Sequence, residues 1–287
     1  MSTLADRAEA ADGYRAGRTL PVGVELVRQL KRRRTLVMGG ILFALPFVLL
    51  VAFQVGGEPG GGNDRVNLMD TATVSGANFA AVNLFAAAGF LLVVPVALFC
   101  GDTVASEASW SSLRYLLAAP VPRARLLWSK LVVGLVLSLA AIVLLPLVAY
   151  AVGTAAYGPG PLQLPTGGTL PTGTAVWRLL VVTAYLFVSQ LVTAALAFWL
   201  STRTDAPLGA VGGAVGLTII GSVLDEVTAL GDWRSVLPAH WQYAWLDAVR
   251  PRPEWTDMIQ GTSLSVTYAL VLFALAFRGF ARKDVVS

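Results

Sequence analysis

The feature of this sequence that most limits its fold is a set of six stretches that contain no Asp, Glu, Lys or Arg. The stretches cover 35–55, 78–100, 131–153, 179–200, 206–224 and 258–277. A helix of about 20 apolar residues is long enough to cross the hydrocarbon layer of a membrane, and a charge at its centre would cost about 2.5–3.5 kcal/mol. Because the apolarity is continuous and does not alternate, it predicts helices and not barrel strands. The sequence therefore predicts an all-α integral membrane protein with six transmembrane helices.

Composition excludes several other classes of protein. The chain is 56% hydrophobic and 13% charged, whereas soluble domains have roughly 45–50% and about 25%. One cysteine and one histidine exclude a disulfide framework and the usual Cys/His metal centre, so no metal is predicted. The net charge of +4 is too small and too scattered for a nucleic-acid-binding face.

The distribution of Lys and Arg predicts the orientation in the membrane. Sixteen of these side chains fall on one side of the predicted spans and five on the other. Because basic residues are enriched in cytoplasmic loops, both termini are predicted to be cytoplasmic, in a multi-pass protein of the cell membrane. On this basis 1–20 is a flexible cytoplasmic tail, 35–277 is the six-span domain and 278–287 is a second cytoplasmic tail.

The segment 21–34, just before the first span, is predicted to be an amphipathic helix. Its apolar face carries Val22, Leu26, Val27 and Leu30, and its polar face carries Glu25, Arg28, Lys31 and Arg32. Such a helix is expected to lie on the inner membrane surface. Two interpretations stay open together, a positively charged anchor that sets orientation and an elbow helix that docks a cytoplasmic partner.

Two connections on the predicted outer side differ in composition. The segment 151–173 is rich in Gly and Pro, which favours turns and irregular chain over a helix. The segment 225–257 is rich in tryptophan, which predicts a helical segment packed at the outer interface. An alternative for this second segment is a lid over an exit route, with His240 and nearby acids in contact with the transported molecule.

A few polar or small side chains lie inside the predicted spans. Asn83, Gln190 and Thr193 are candidates for hydrogen bonds between helices, or for the lining of a substrate path. Gly209, Gly212, Gly213 and Gly216 form i, i+4 pairs that let two helices approach closely, either within one subunit or across a dimer interface.

The loop between the second and third spans has an apolar periodicity of its own. From Ser109 as N-cap, Trp110, Leu113 and Leu117 recur on one face of a predicted short helix, which Pro120 ends. A helix joined in this way to two membrane spans would act as a lever if a soluble protein moved it.

The same loop resembles a known family. The run Glu107-A-S-W-S-S-Leu113-R-Y-Leu116-Leu117-A-A-Pro120-V-P-Arg123, followed by Lys130, is similar to the E…G-T-L…L-L…P…R…K signature of ABC transporter permeases of the type-2 exporter family. The sequence departs from the signature with Ser111 in place of the common glycine and with Pro122 in place of a small hydroxyl residue.

The resemblance implies a division of labour between chains. The coupling helix would be 106–117, and the residues implied in coupling to the ATPase are Glu107, Trp110, Leu113, Arg114, Leu117 and Arg123. The implied partners are two copies of an ABC ATPase subunit and a second copy of this permease or a close paralogue. No G-x-x-x-x-G-K-[ST] phosphate loop is present in the sequence, so ATP and Mg²⁺ are expected on the partner and this chain is not expected to be an enzyme.

The function that the resemblance implies is an exporter subunit for an apolar or amphipathic substrate. Three other functions are alternatives to it. A secondary carrier is expected to have an ionisable residue inside the membrane, broken helices or paired repeats, and the sequence shows none of these clearly. A membrane enzyme would need a catalytic motif such as H-E-x-x-H or G-x-S-x-G, which is absent. A scaffold or sensor that recruits an ATPase without transporting a substrate stays open.

Overall fold

Apolar helices make up most of the structure, a computed structural model that describes residues 21–56, 68–109, 122–164 and 167–282. In chain order they are α1 (Val22–Leu30), α2 (Arg33–Val55), α3 (Gly76–Ala88), α4 (Val93–Ser109), α5 (Arg123–Tyr157), α6 (Thr172–Ser189), α7 (Leu191–Arg203), α8 (Pro207–Asp225), α9 (Trp245–Ala248) and α10 (Thr256–Ala281). Short 3-10 turns occupy Leu68–Thr71, Thr228–Val236 and Pro238–Trp241. The strands of the described residues are one antiparallel pair, β1 (Leu162–Gln163) and β2 (Thr169–Leu170).

The described residues contain five helical stretches that are long and apolar enough to cross a membrane. They are α2, α5, α6 together with α7, α8, and α10. The pair α3 and α4, which is bent by 53°, adds a sixth if it is counted as one span. The prediction of an all-α, multi-pass membrane protein is therefore confirmed.

One of the predicted spans contains a break that the absence of charge does not signal. In the second, the helix ends at Ala88 and resumes at Val93, and it then continues to Ser109 rather than ending near position 100. In the fourth, α6 and α7 meet at Gln190, but backbone hydrogen bonds from Gln190 to Leu186 and from Ala194 to Gln190 continue the helix, so Thr172–Arg203 is one span. The expectation that the spans lack broken helices is wrong at the second span.

The centre of the bundle is built from α3 and α4. Nearly every side chain of α3 is buried, and α4 lies against α5, α7 and α8. In contrast, α2 buries only Thr35, Leu42 and Pro46, and α8 buries only Ala210 and Ala214. The helices α2 and α8 therefore lie at the periphery, with apolar surface left for lipid or for another chain.

A glycine sets the close approach of α5 to α3. A Cβ atom at Gly153 would lie 2.6 Å from the Cβ of Phe79 and 3.0 Å from the Cα of Gly76. Contacts this short leave no room for a side chain at position 153, so the two backbones can meet there only because it is a glycine.

The bundle has two chemically different ends. At the charged end, α1 lies beside the last turns of α4 and the first turns of α5. At the hairpin end, Gly76 at the start of α3 donates its amide to the carbonyl of Gly158, just after α5, at 3.1 Å.

The segment 151–173 is more ordered than its composition indicates. Its first part continues α5 to Tyr157, and β1 and β2 then form a small hairpin. The Asn78 side chain holds this hairpin, because it donates to the Gln163 carbonyl at 2.8 Å and accepts from the Gln163 amide at 2.9 Å. The expectation of irregular chain throughout this segment is therefore wrong.

The tryptophan-rich segment 225–257 lies at the hairpin end and forms two 3-10 turns and α9. Trp233 is exposed, whereas Trp245 is fully buried. Tyr185 of α6 donates its hydroxyl to the Trp241 carbonyl at 2.5 Å. This segment is thus built into the bundle as well as covering one end of it.

Candidate functional site

The amphipathic helix α1 turns its polar face toward the bundle. Val24 and Val27 are exposed, while Glu25 is only partly exposed and Gln29 is buried. The apolar stretches of α4 and α5 each end in charged residues at this level, and the polar face of α1 meets them. Glu25, Arg28 and Arg32 of the predicted polar face therefore contact other helices of the chain, while Lys31 stays exposed.

Four side chains from three helices form a closed ring of alternating charge at this junction. Lys130 of α5 donates to Glu107 of α4 at 2.6 Å, and it lies 3.5 Å from Glu25 of α1. Arg28 of α1 contacts Glu25 at 3.0 Å and also forms an ion pair with Glu107. Glu107 is 1% exposed and Lys130 is 3% exposed, so their pair is removed from water, while Arg28 at the edge of the ion-pair ring is 47% exposed.

A second ion-pair group lies beside the ring, one turn earlier on α4. Arg32 donates to Asp102 at 2.7 Å, and Arg34 at the start of α2 pairs with the other oxygen of the same carboxylate. Ser106 accepts a further hydrogen bond from Arg32 at 3.3 Å. The turn between α1 and α2 is thereby fixed to α4.

The charges on α1 are favoured by their partners. Burial opposes the charge of Glu25, but Lys130, Gln29 and Arg28 outweigh it and hold the pKa of this carboxyl below its ordinary value. Burial also opposes the charge of Arg28, but Glu107 and Glu25 raise its pKa above the ordinary value. Both side chains therefore stay ionised, and the contact between α1 and α4 is an ionic one.

Buried ion pairs of this kind hold elements together strongly once formed. Bringing two charges out of water has a large cost, so their net contribution is small, but removing one partner leaves an uncompensated charge and costs about 3–5 kcal/mol. The ring therefore resists separation of α1, α4 and α5 more than it stabilises the fold as a whole.

Two of the residues implied in ATPase coupling lie within the described ranges, and four lie outside them. Trp110, Leu113, Arg114 and Leu117 lie outside the described residues. Glu107 is in the ring, and Arg123 begins α5, with its guanidinium 3.4 Å from the carbonyl of Ala281. Of the elbow residues, Glu25, Arg28 and Arg32 are in the two ion-pair groups, whereas Lys31 is exposed.

Sequence reasoning missed part of this site. Asp102 and Arg34 were not predicted as site residues, and Lys130 was noted only as the last position of the signature. The sequence did contain a signal for them. Two carboxylates follow the apolar stretch 78–100, and a run of basic residues precedes the apolar stretch 35–55. The pairing itself depends on which helix ends meet in space.

The three predicted substrate-path residues lie in different places. Asn83 is buried in α3 and donates to the Phe79 carbonyl of its own helix at 2.9 Å, so the described residues show no bond from it to another helix. Thr193 of α7 lies 3.4 Å from the Thr218 hydroxyl of α8, a contact between helices. Gln190 lies at the junction between α6 and α7.

Gln190 and Thr193 line a pocket of about 410 Å³ between α7, α8, α10 and the 3-10 turns. Gln190 is 5% exposed and Gln242 is 9% exposed. Among the described residues, neither the Gln190 Oε1 nor the Gln242 Nε2 has a hydrogen-bond partner. An unsatisfied buried polar group costs about 1–3 kcal/mol, which makes these two amides the most unusual polar groups of the pocket.

The four predicted packing glycines of α8 do not act alike. A Cβ at Gly213 would lie 3.1 Å from Leu200 of α7, so this glycine faces the bundle. Gly209 lies near Ala206 and Thr204, in its own first turn. Around Gly212 and Gly216 a Cβ would meet nothing within 4 Å, so their face of α8 is open.

At the hairpin end, the Nδ1 of His240 lies 2.7 Å from Asp225, and Arg234 lies 3.4 Å from the same carboxylate oxygen. Within the described ranges, no group of three or more His, Cys, Asp or Glu residues is placed to hold a metal ion.

The family model described as "Protein of unknown function (DUF2705)" matches residues 65–286. No curated protein matches the chain.

Proposed function

This chain belongs to the DUF2705 family, for which no function is described, and from its own residues we propose that it is the transmembrane permease subunit of an ATP-driven ABC exporter. It would move an apolar or amphipathic substrate across the membrane, and a separate ATPase subunit would supply the energy. The proposal rests on the signature between Glu107 and Lys130 and on the ion-pair ring at its two ends.

The observation that carries the proposal is where this ring sits. Segment 110–121 joins the end of α4 to the start of α5, and both junctions lie beside the ring that contains Glu107 and Lys130. A force applied to the segment would reach α4 and α5 through the chain, and α1 through Arg28 and Glu25. Packed elements move as units, so this arrangement is suited to transmit movement of a soluble motor to several membrane helices.

The charged end is the cytoplasmic one in this proposal, and both termini lie there. The charge count supports this, because Arg28, Arg32, Arg34 and Lys130 all lie at this end of the bundle. The hairpin and the tryptophan-rich segment would then face the outside. An ATPase that uses cytoplasmic ATP would meet α1 and segment 110–121.

A second copy of the permease, or a close paralogue, is the proposed partner inside the membrane. The open face of α8 at Gly212 and Gly216 supports this, because small residues four apart allow a neighbouring helix to approach closely. Two copies would bind two ATPase subunits, one beneath each charged end.

Affinity purification of the tagged chain from its native membrane tests the proposal. We expect a protein with a G-x-x-x-x-G-K-[ST] loop to co-purify, and we expect the complex, but not the chain alone, to hydrolyse ATP.

Leu113→Glu should abolish both co-purification and ATP hydrolysis, while Ser111→Glu, on the other predicted face of the same helix, should retain them. ATP-dependent uptake into inverted vesicles that contain both proteins completes the test. A homogeneous chain that binds no ATPase, or that hydrolyses ATP alone, contradicts the proposal.

A proton-coupled carrier is the second candidate, because the structure has two features that such carriers show. A helix breaks at positions 89–92, and Glu107 is a buried carboxylate. The carboxylates of Glu25, Asp102 and Glu107 are, however, each paired with Lys or Arg, which favours a structural use over proton exchange. Transport driven by a pH gradient without ATP would favour this candidate.

A further inference from the structure

The pocket between α7, α8 and α10 contains two buried amides and otherwise mostly apolar walls. We infer that it is a binding site for an uncharged amphipathic molecule whose polar group both donates and accepts hydrogen bonds, such as a primary amide on an acyl chain. The binding site itself does not depend on the proposed function. Only the further step of identifying the bound molecule as the exported substrate rests on that proposal.

The two amides define the polar part of the ligand. Gln190 Oε1 is an acceptor and Gln242 Nε2 is a donor, and within the described chain both are buried without a partner. They do not satisfy each other, although both side chains line the same pocket. A ligand that donates to one and accepts from the other would satisfy both, which an ether, an ester or a hydrocarbon cannot do.

The rest of the pocket fits an apolar chain. Its walls include Leu196 of α7, Leu217 and Leu224 of α8, and Leu272 of α10. A volume of about 410 Å³ is within the range of roughly 300–1,000 Å³ found for small-molecule sites. Leu217 and Ile220 are also partly exposed on the outside of the bundle, so the pocket is open toward the side where lipid would lie.

The absence of charge on the lining residues selects against ions. None of the described residues that line the pocket is Asp, Glu, Lys or Arg. A carboxylate or an ammonium group would lose its hydration here without gaining an opposite charge. A fatty acid anion is therefore expected to bind more weakly than the corresponding amide.

The pocket adjoins an interruption of the chain. Val93 of the pocket wall begins α4 directly after the bend at positions 89–92. Interrupted helices inside membrane bundles commonly mark binding sites, so the position of this bend agrees with a ligand in the pocket.

Binding of radiolabelled oleamide to the purified chain in nanodiscs tests the inference, with oleate and methyl oleate as comparison probes. We expect saturable binding of oleamide near one per chain and affinity at least tenfold lower for both comparison probes. Gln190→Met and Gln242→Met keep the length of the side chain and remove its hydrogen bonds, so each should weaken oleamide binding about tenfold or more. Gln54→Met, which changes an exposed glutamine of α2, is the matched control and should bind like the native chain.

Thermal unfolding separates a ligand site from a structural role of the amides. Since Gln190 and Gln242 have no partner for one atom each, their replacement by Met should leave the midpoint of the empty protein unchanged or raise it, while oleamide binding falls. If either variant does not fold, Leu272→Trp provides a second test, because it fills the pocket without touching an amide and should also abolish binding. Lack of saturable oleamide binding to the native chain, or undiminished binding by the folded variants, would overturn the inference, whatever the outcome of the ATPase experiments.

Discussion

The Nζ atom of Lys130 lies 2.6 Å from the Oε1 atom of Glu107, and both side chains are almost fully buried. The two residues flank the segment from 108 to 129, so the ion pair closes the base of the loop whose sequence resembles the permease signature. Arg28 and Glu25 complete the ring from a third helix. This pair is therefore the point at which disruption should have the largest effect on the charged end.

Glu107→Gln should destabilise the protein by about 3–5 kcal/mol, because the buried Lys130 then keeps only its longer contact of 3.5 Å with Glu25. Lys130→Met should cost less, since Glu107 keeps its pair with Arg28. Thermal unfolding in detergent measures both. Arg250→Gln breaks an ion pair of 2.7 Å whose arginine is half exposed, so it should cost only about 0–1 kcal/mol and serves as the control. Equal effects of all three changes would show that the ring has no special role.

Gly153→Ala should destabilise the bundle by about 1–3 kcal/mol, because the added methyl group would overlap Phe79 of α3. Gly39→Ala in α2 is the matched control, since a Cβ there meets nothing within 4 Å. Alanine is favoured over glycine in a helix by up to about 1 kcal/mol, so this control should be neutral or stabilising. The difference in unfolding midpoint between the two variants is the measurement.

The contribution of Glu25 to stability should depend on pH. Its pKa in the folded protein lies below the ordinary value of 4.5. Stabilisation by its charge is therefore fully present above pH 4.5 and is lost as the pH falls through the folded pKa. The unfolding midpoint of the native protein should exceed that of Glu25→Gln at neutral pH, and the two should converge below about pH 4.5. A gap that widens on acidification would contradict the assigned partners.

Labelling with a membrane-impermeant maleimide in intact cells tests the orientation. The single cysteine, Cys100, is fully buried, so the native chain should not react and gives a clean background. Lys31→Cys, at the charged end, should be protected until the cells are opened, whereas Thr174→Cys, at the hairpin end, should react at once. Both positions are exposed in the structure. Gly160 is less suitable for this purpose, because a Cβ there would lie 3.0 Å from Ser75. The reverse labelling pattern would place the charged end outside.

The apolar helices and their approximate positions could be predicted from sequence because the exclusion of charge from hydrocarbon acts on each residue separately. The break at positions 89–92 could not, since Gly89 is tolerated in a continuous helix as well as in a broken one. Gly89 lies against Gln242 and Tyr243, which come from a distant part of the chain.

The candidate site was predicted in part for a similar reason. Glu107 was found through a sequence signature, and Glu25, Arg28 and Arg32 through helical periodicity. Periodicity shows which residues share a face of α1, but it does not show what the face meets. The polar face was expected to point to water, and it meets Asp102, Glu107 and Lys130 because the ends of α4 and α5 present charges that need partners.

The ion-pair ring also constrains the order of events during synthesis. Glu25 precedes its partner Lys130 by 105 residues in the chain, and Arg28 precedes Glu107 by 79. The N-terminal helix therefore leaves the ribosome long before the carboxylates and the lysine that it pairs with exist. It has to wait at the membrane surface, with its charges hydrated, until the third long helix is in place, and only then can the charged end close.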